Sequence, residues 1–161
     1  MLGELLTKEE CAGCRLCCAF EGYDLFDTPT ITPAVRELIL KEYSPEQRFV
    51  QQEGCWFLRL EREPDKDLYY CSLLDRRHGC IMGDSKPFEC RIWPLRVMRR
   101  EGQLVLTLSP VCPVVKQKPQ ELIMRKSAEL APAIFAEARA CPELVRPYTE
   151  GLEVLAVDTT C

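Results

Sequence analysis

Four cysteines fall within eight residues in Cys11-Ala-Gly-Cys14-Arg-Leu-Cys17-Cys18, in a chain that has eleven cysteines and a single histidine. A thiolate is a soft ligand that holds zinc or iron–sulfur clusters without help from nitrogen. One C-x2-C step presents two sulfurs to a single centre, and the second step, to Cys17, adds a third. A further group, Cys71, Cys80 and Cys90, has gaps too long for a local zinc knuckle, so only the fold can gather those sulfurs. The expectation is that the two groups, far apart in sequence, meet in space around metal.

The rest of the composition narrows the setting. No basic segment followed by an apolar one opens the sequence, and no apolar run approaches the roughly 18 residues that span a bilayer. A cytoplasmic protein is expected. Disulfides are disfavoured in that compartment, so eleven thiols point to metal ligation or thiol chemistry, and an odd count would leave one thiol over in any disulfide set. The formal net charge of -4 argues against nucleic acid or a membrane surface as partner, leaving an unspecified redox or protein partner. With 161 residues, 47% hydrophobic and 29% charged, the chain is long and apolar enough for one globular domain with its own core.

Periodicity gives the expected elements. Residues 1–10 read as a short helix or loop, and the cysteine stretch itself as irregular, with a tight turn at Gly13. Thr32 is a candidate N-cap with Pro33 at the first helical position; Val35, Leu38 and Ile39 then mark one face through about Tyr43. Residues 55–60 and 68–71 read as two strands joined through 61–66. Residues 95–100 and 103–108 form a second candidate hairpin about Glu101-Gly102. A long helix is expected over 120–140, kinked or split at Pro132, and a last strand over 152–157. The predicted fold is a small α+β domain, residues 1–161, of β-hairpins and a few helices. Its cysteine-rich loops are organised around metal in region 11–113, and the helix and strand of 119–161 pack on that region.

The cysteine spacings also say something about the centre. The triple C-x2-C step opens bacterial ferredoxin cluster sites, which continue x3-C-P. Here position 21 is Glu21, and Cys-Pro occurs only at 112–113 and 141–142. Adjacent side chains diverge by about 100° in a helix and about 180° in a strand, so Cys17 and Cys18 rarely serve one four-coordinate ion. Either one lies outside the ligand set or each faces a different side of a multinuclear centre. Lys86, Arg91 and Arg15 lie near candidate ligands, where positive charge offsets that of thiolates. Cys55 is a reserve ligand, read as lying across a hairpin from Cys71. His78, the only imidazole, is a loop residue and a second reserve. Phosphate-loop, dinucleotide and H-E-x-x-H motifs are absent, and no catalytic residue is assigned.

Cys11-x2-Cys14-x2-Cys17-Cys18, followed by Cys71-Ser-Leu-Leu, Gly79-Cys80-Ile and Lys86-Pro87-x2-Cys90-Arg91-x-Trp93-Pro94, resembles the CxxCxxCC family. This family is also called the YkgJ-like cysteine cluster proteins, or the zinc- or iron-chelating domain. Its pattern continues G-x-C-x-I-Y, then R-P-x-x-C-R-x-F-P, with a later Cys-Pro, and the match spans roughly residues 11–113. Met82 departs from the usual Tyr, Lys86 from Arg and Trp93 from Phe. Gly79-Cys80 lacks the usual intervening residue, and Cys55, Cys141 and Cys161 have no counterpart. The resemblance implies metal binding through Cys11, Cys14, Cys17, Cys18, Cys71, Cys80, Cys90 and Cys112. Three functions follow in order: an iron–sulfur protein with one or two 4Fe-4S clusters in electron transfer or redox sensing; a zinc protein with four-cysteine structural sites; and an enzyme using an open cluster.

Overall fold

In the computed structural model, which describes residues 2–21, 28–64 and 68–160, the cysteine stretch is helical rather than irregular. It forms α1 (Lys8–Cys14) and, past Arg15, a single 3-10 turn over Leu16–Cys18. The tight turn expected at Gly13 sits instead at Arg15, whose φ is 56°. That left-handed residue ends α1, and its carbonyl accepts the Cys18 N–H at 3.0 Å. Because the reversal happens after Cys14, the residues before it are free to be helical.

The chain continues through β1 (Ala19–Glu21) and β2 (Thr30–Ile31) to α2 (Pro33–Leu38). The helix start is the expected one, with Thr32 Oγ1 accepting the Val35 N–H at 3.4 Å and Pro33 in the first turn. A π-helical turn over Ile39–Tyr43 extends it before Ser44 ends it. β3 (Phe49–Gln52) and β4 (Cys55–Leu58) form a hairpin about Glu53-Gly54, with φ of 51° and 80°. These are the paired left-handed residues that a two-residue hairpin needs. Then come β5 (Glu61–Arg62), β6 (Leu68–Tyr70), β7 (Leu74–Asp75), β8 (Gly79–Cys80) and α3 (Phe88–Ile92).

Strand pairing departs from expectation here. The runs at 55–60 and 68–71 do not pair with each other. β4 lies between β2 and β3, β6 lies between β1 and β5, and β7 and β8 form a separate pair. Each strand has a nearer partner, and runs of two to four residues offer too little alternation to specify a remote one. Cys55 therefore stands opposite Gln52, not Cys71. Residues 65 and 66 of the expected connection, residue 67 and Cys161 lie outside the described residues. Ile31, Ile39, Leu58, Leu73 and Met82 form a buried core, and Cys71 and Cys80 pack against it.

The contacts of the chain divide it into two units, the one just described (Lys8–Arg91) and a second made of Met1–Thr7 and Ile92–Cys161. The second is built on the expected hairpin, β9 (Leu95–Arg100) and β10 (Gln103–Leu108), turning at Glu101 and Gly102 with φ of 51° and 86°. α4 (Gln120–Ala140), β11 (Arg146–Pro147) and β12 (Val154–Val157) follow, in a sheet of order β11-β9-β10-β12. α4 is not split at Pro132. The proline removes one helical hydrogen bond, but Ile123, Ser127 and Ala131 before it, and Ile134, Phe135 and Ala138 after it, are all buried. Those residues recur every three or four positions, and α4 lies against β9, β10 and β12. The chain is thus a small α+β protein with several small sheets and, among the described residues, four α-helices. No helix among them is long and apolar enough to cross a membrane.

Candidate metal centre

A β-ladder carries the first cysteine group to the second. β1 and β6 pair antiparallel with Ala19 opposite Tyr70, and one step further the Cys71 N–H donates to the Cys18 carbonyl at 2.9 Å. The Cys71 carbonyl then accepts the Leu74 N–H at 3.0 Å, which turns the chain into β7. Asp75 Oδ1 accepts the N–H groups of Arg77 at 2.8 Å and His78 at 2.7 Å, closing the loop to β8 and Cys80. Gly79 has φ of 85°, and a Cβ placed on it would meet Ala12 Cβ at 3.1 Å. Only glycine allows β8 this approach to α1 at that backbone angle. Beyond a 3-10 turn over Gly83–Ser85, Lys86 and the buried Pro87 lead into α3, which carries Cys90.

The thiols so gathered sense one another. Cys11 donates a hydrogen bond to Cys17, which itself lies 3.9 Å, sulfur to sulfur, from Cys18. Holding that proton, with burial, drives the Cys11 thiol far above its ordinary value. The bond from Cys11 draws the Cys17 thiol down, but contact with Cys18 and burial outweigh it and leave Cys17 pushed up to about 12. Burial pushes Cys71 up to about 12, against a Leu73 N–H that donates to its sulfur. Burial raises Cys80 likewise, against the Met82 N–H and the charge of Lys86. Cys90 is raised well above the ordinary range by burial, then by Cys71, Cys17 and Cys80. Among these thiols lies the ammonium of Lys86. Burial draws its pKa down, but Cys11, Cys80, Cys90 and Cys18 together hold it above the usual lysine value.

Six of the eight candidate ligands, Cys11, Cys17, Cys18, Cys71, Cys80 and Cys90, are thus each linked electrostatically to another of the set or to Lys86, and they come from four separate segments. Cys14 closes α1 three residues after Cys11, partly buried. Cys112 belongs to the other unit, where it is buried after β10 and its carbonyl accepts the Lys116 N–H at 3.2 Å. Cys141 caps α4 there. His78 is exposed, its ring 3.0 Å from Asp75 Oδ1. Of the three cations near the ligands, Arg15 donates to the Arg76 carbonyl and Arg91 lies against the Phe88 ring. Lys86 acts on the thiols of Cys11, Cys17 and Cys80.

Among the described residues, no three His, Cys, Asp or Glu side chains are arranged to hold a metal ion as they stand. The donor set nevertheless suits a thiolate-bound group. Two backbone N–H groups, at Leu73 and Met82, already point at the sulfurs of Cys71 and Cys80, each two residues on. Such bonds favour the charged sulfur, as a cation does. A metal bound here would displace the protons that these thiols carry. No family model matches the chain, and neither a curated protein nor a solved structure matches it. The resemblance to the CxxCxxCC family rests on the cysteine pattern itself.

Proposed function

We propose that the Lys8–Arg91 unit binds an iron–sulfur cluster through cysteine thiolates and serves in electron transfer or redox sensing. The ligands are drawn from Cys11, Cys14, Cys17, Cys18, Cys71, Cys80 and Cys90. The observation that carries this reading is the convergence of five thiols, Cys11, Cys17, Cys18, Cys80 and Cys90, on Lys86, with amides aimed at the sulfurs of Cys71 and Cys80. The six thiols of the set exceed the needs of one four-coordinate ion, and adjacent residues such as Cys17 and Cys18 suit a multinuclear centre better than a single ion. A bound cluster supplies one-electron redox chemistry. The chain's own part is to exclude water with the Leu73 and Met82 core and to offset thiolate charge with Lys86.

A zinc site is the second reading, favoured by the shortness of the strands in this unit, which a structural ion would tie together. The deciding experiment is a visible spectrum with metal and sulfide analysis on protein purified without oxygen. Brown protein with iron and acid-labile sulfide is the expected result. Colourless protein carrying zinc would replace it with the second reading, and protein free of both metals would sink the centre altogether.

A further inference from the structure

One edge of the Lys8–Arg91 unit combines exposed apolar side chains with unpaired positive charge beside the candidate ligands. There α1 lies against β8. Lys8 at the start of the helix pairs with Asp84 at 3.1 Å, Ala12 in its middle lies over Gly79, and Arg15 past its end donates to the Arg76 carbonyl. Among the described residues of this unit, two large apolar side chains stand exposed, Leu16 and Ile81. Each is next to a candidate ligand, Leu16 before Cys17 and Ile81 after Cys80. Chain length alone keeps Ile81 within about 7 Å, and Leu16 within about 14 Å, of the Ala12–Gly79 contact. The same edge carries Arg15, Arg76 and Arg77 against two carboxylates. Glu63 lies 3.5 Å from Arg76, and Asp75 faces the exposed ring of His78. The guanidinium groups of Arg15 and Arg77 have no carboxylate partner among the described residues.

We propose that this edge docks an acidic patch on a one-electron carrier protein, with Leu16 and Ile81 inside the contact and Arg15 and Arg77 at its rim. The docking stands on the observations just given; that an electron then passes rests on the iron–sulfur reading above. Apolar contact within a polar rim is the general anatomy of protein interfaces. Electron-transfer encounters lie at the small end, below about 1,200 Å² in total, or about 600 Å² on each partner. A disc of that area has a radius of about 14 Å, which matches the reach of the two apolar residues from the Ala12–Gly79 contact. Charges at the rim speed the encounter and fix its orientation more than they add affinity. The chain as a whole has a formal net charge of -4, so it repels an acidic partner except where positive charge is in local excess, as it is here. A carrier seated on Leu16 and Ile81 stands one residue from the candidate ligands Cys17 and Cys80.

The test titrates the full chain, purified without oxygen, with flavodoxin as the acidic carrier and with cytochrome c as a basic one. Affinity is read at about 0.1 M and about 1 M salt, between which the Debye length falls from about 10 Å to about 3 Å. Hydrogen exchange maps the contact. The expected result is binding of flavodoxin and not of cytochrome c, at least about fivefold weaker at the higher salt, with exchange slowed over residues 12–18 and 75–82. Arg77→Glu should weaken it at least about fivefold, because one exposed attraction is lost and a like-charge pair gained. Lys116→Glu makes the same change in net charge on an exposed residue of the other unit and should leave affinity unaltered. No binding of flavodoxin, preference for cytochrome c, slowed exchange elsewhere, or equal losses in the two variants overturns the proposal. Brown protein that fails to bind overturns the docking and leaves the cluster standing. Colourless protein that binds as expected does the reverse.

Discussion

The β9–β10 hairpin runs six residues on each strand and lies against a helix of 21 residues. In the Lys8–Arg91 unit, among the described residues, no strand exceeds four residues and the longest α-helix has seven. A strand of three residues is about 10 Å long and offers one or two side chains to a core. The long elements can be held by aliphatic burial alone, as the fully buried Leu106, Met98 and Ile134 show. The short ones enclose a small apolar core against which two thiols pack. On this contrast, the long elements of one unit are held by aliphatic burial, and the short elements of the other are those that the proposed centre would tie together.

The largest effect should follow from removing the proposed metal, because thiolate-bound ions contribute about 10–16 kcal/mol to small folds. Stripping the metal, or the change Cys90→Ser, should speed hydrogen exchange in β1, β6, β7 and β8 at least about 100-fold while α4 and β9–β10 keep their protection. Exchange that does not change, or that rises equally in both units, would erase the contrast. The converse variant is Ile134→Ala, which hollows out the other core. It should cost about 2–5 kcal/mol, read as lost protection in α4, β9 and β10, with metal content unaltered. Metal lost together with that protection would show that the two units do not stand on separate supports.

A smaller pair of changes isolates the approach of α1 to β8. Gly79 and Gly102 have nearly the same backbone angle, φ of 85° and 86°, but only Gly79 has a neighbour where a Cβ would go. Gly102→Ala should therefore cost about 1–2 kcal/mol of backbone strain, and Gly79→Ala more, with weaker metal binding as α1 is pushed away. Equal losses of stability and unchanged metal affinity would mean that Ala12 yields freely.

The smallest effect concerns Asp75, whose carboxyl is held below the ordinary carboxylate range by the N–H of His78 and then that of Arg77. Since the folded value is the lower one, the support is complete above the unfolded value of about 4 and fades as pH falls through the folded one. Amide exchange at Arg77 and His78 should quicken over that acid range, beyond the ordinary pH dependence of exchange, and Asp75→Ala should remove the extra pH dependence. A response of equal size in β9–β10 would show that the loop is not its source.

Long periodic runs were legible in the sequence. The spacing of Leu122, Ile123, Leu130, Ile134 and Ala138 gave α4, where Ile123, Ile134 and Ala138 are buried; Glu101-Gly102 gave the second hairpin, and Thr32-Pro33 gave the start of α2. The partners of β4 and β6 were not, because strands of three or four residues carry no pattern that distinguishes one partner from another. The two cysteine groups were expected to meet as metal ligands, while the backbone link between them, the Cys18–Cys71 hydrogen bond, left no trace in the pattern. Arg15 in the left-handed region was equally hidden, since arginine has no preference for that angle and a glycine stood two places away.

The Cys18–Cys71 rung has a consequence for how the chain comes together. Side chains alternate faces along a strand, so a slip of one residue between β1 and β6 would turn Cys71 to the opposite side of its sheet. Cys80 and Cys90 follow Cys71 in the chain, so the same error would disturb their placement. The ladder thus acts as a proofreader: only the chain that pairs Ala19 with Tyr70 gathers its sulfurs, and a misaligned one announces itself by leaving them scattered.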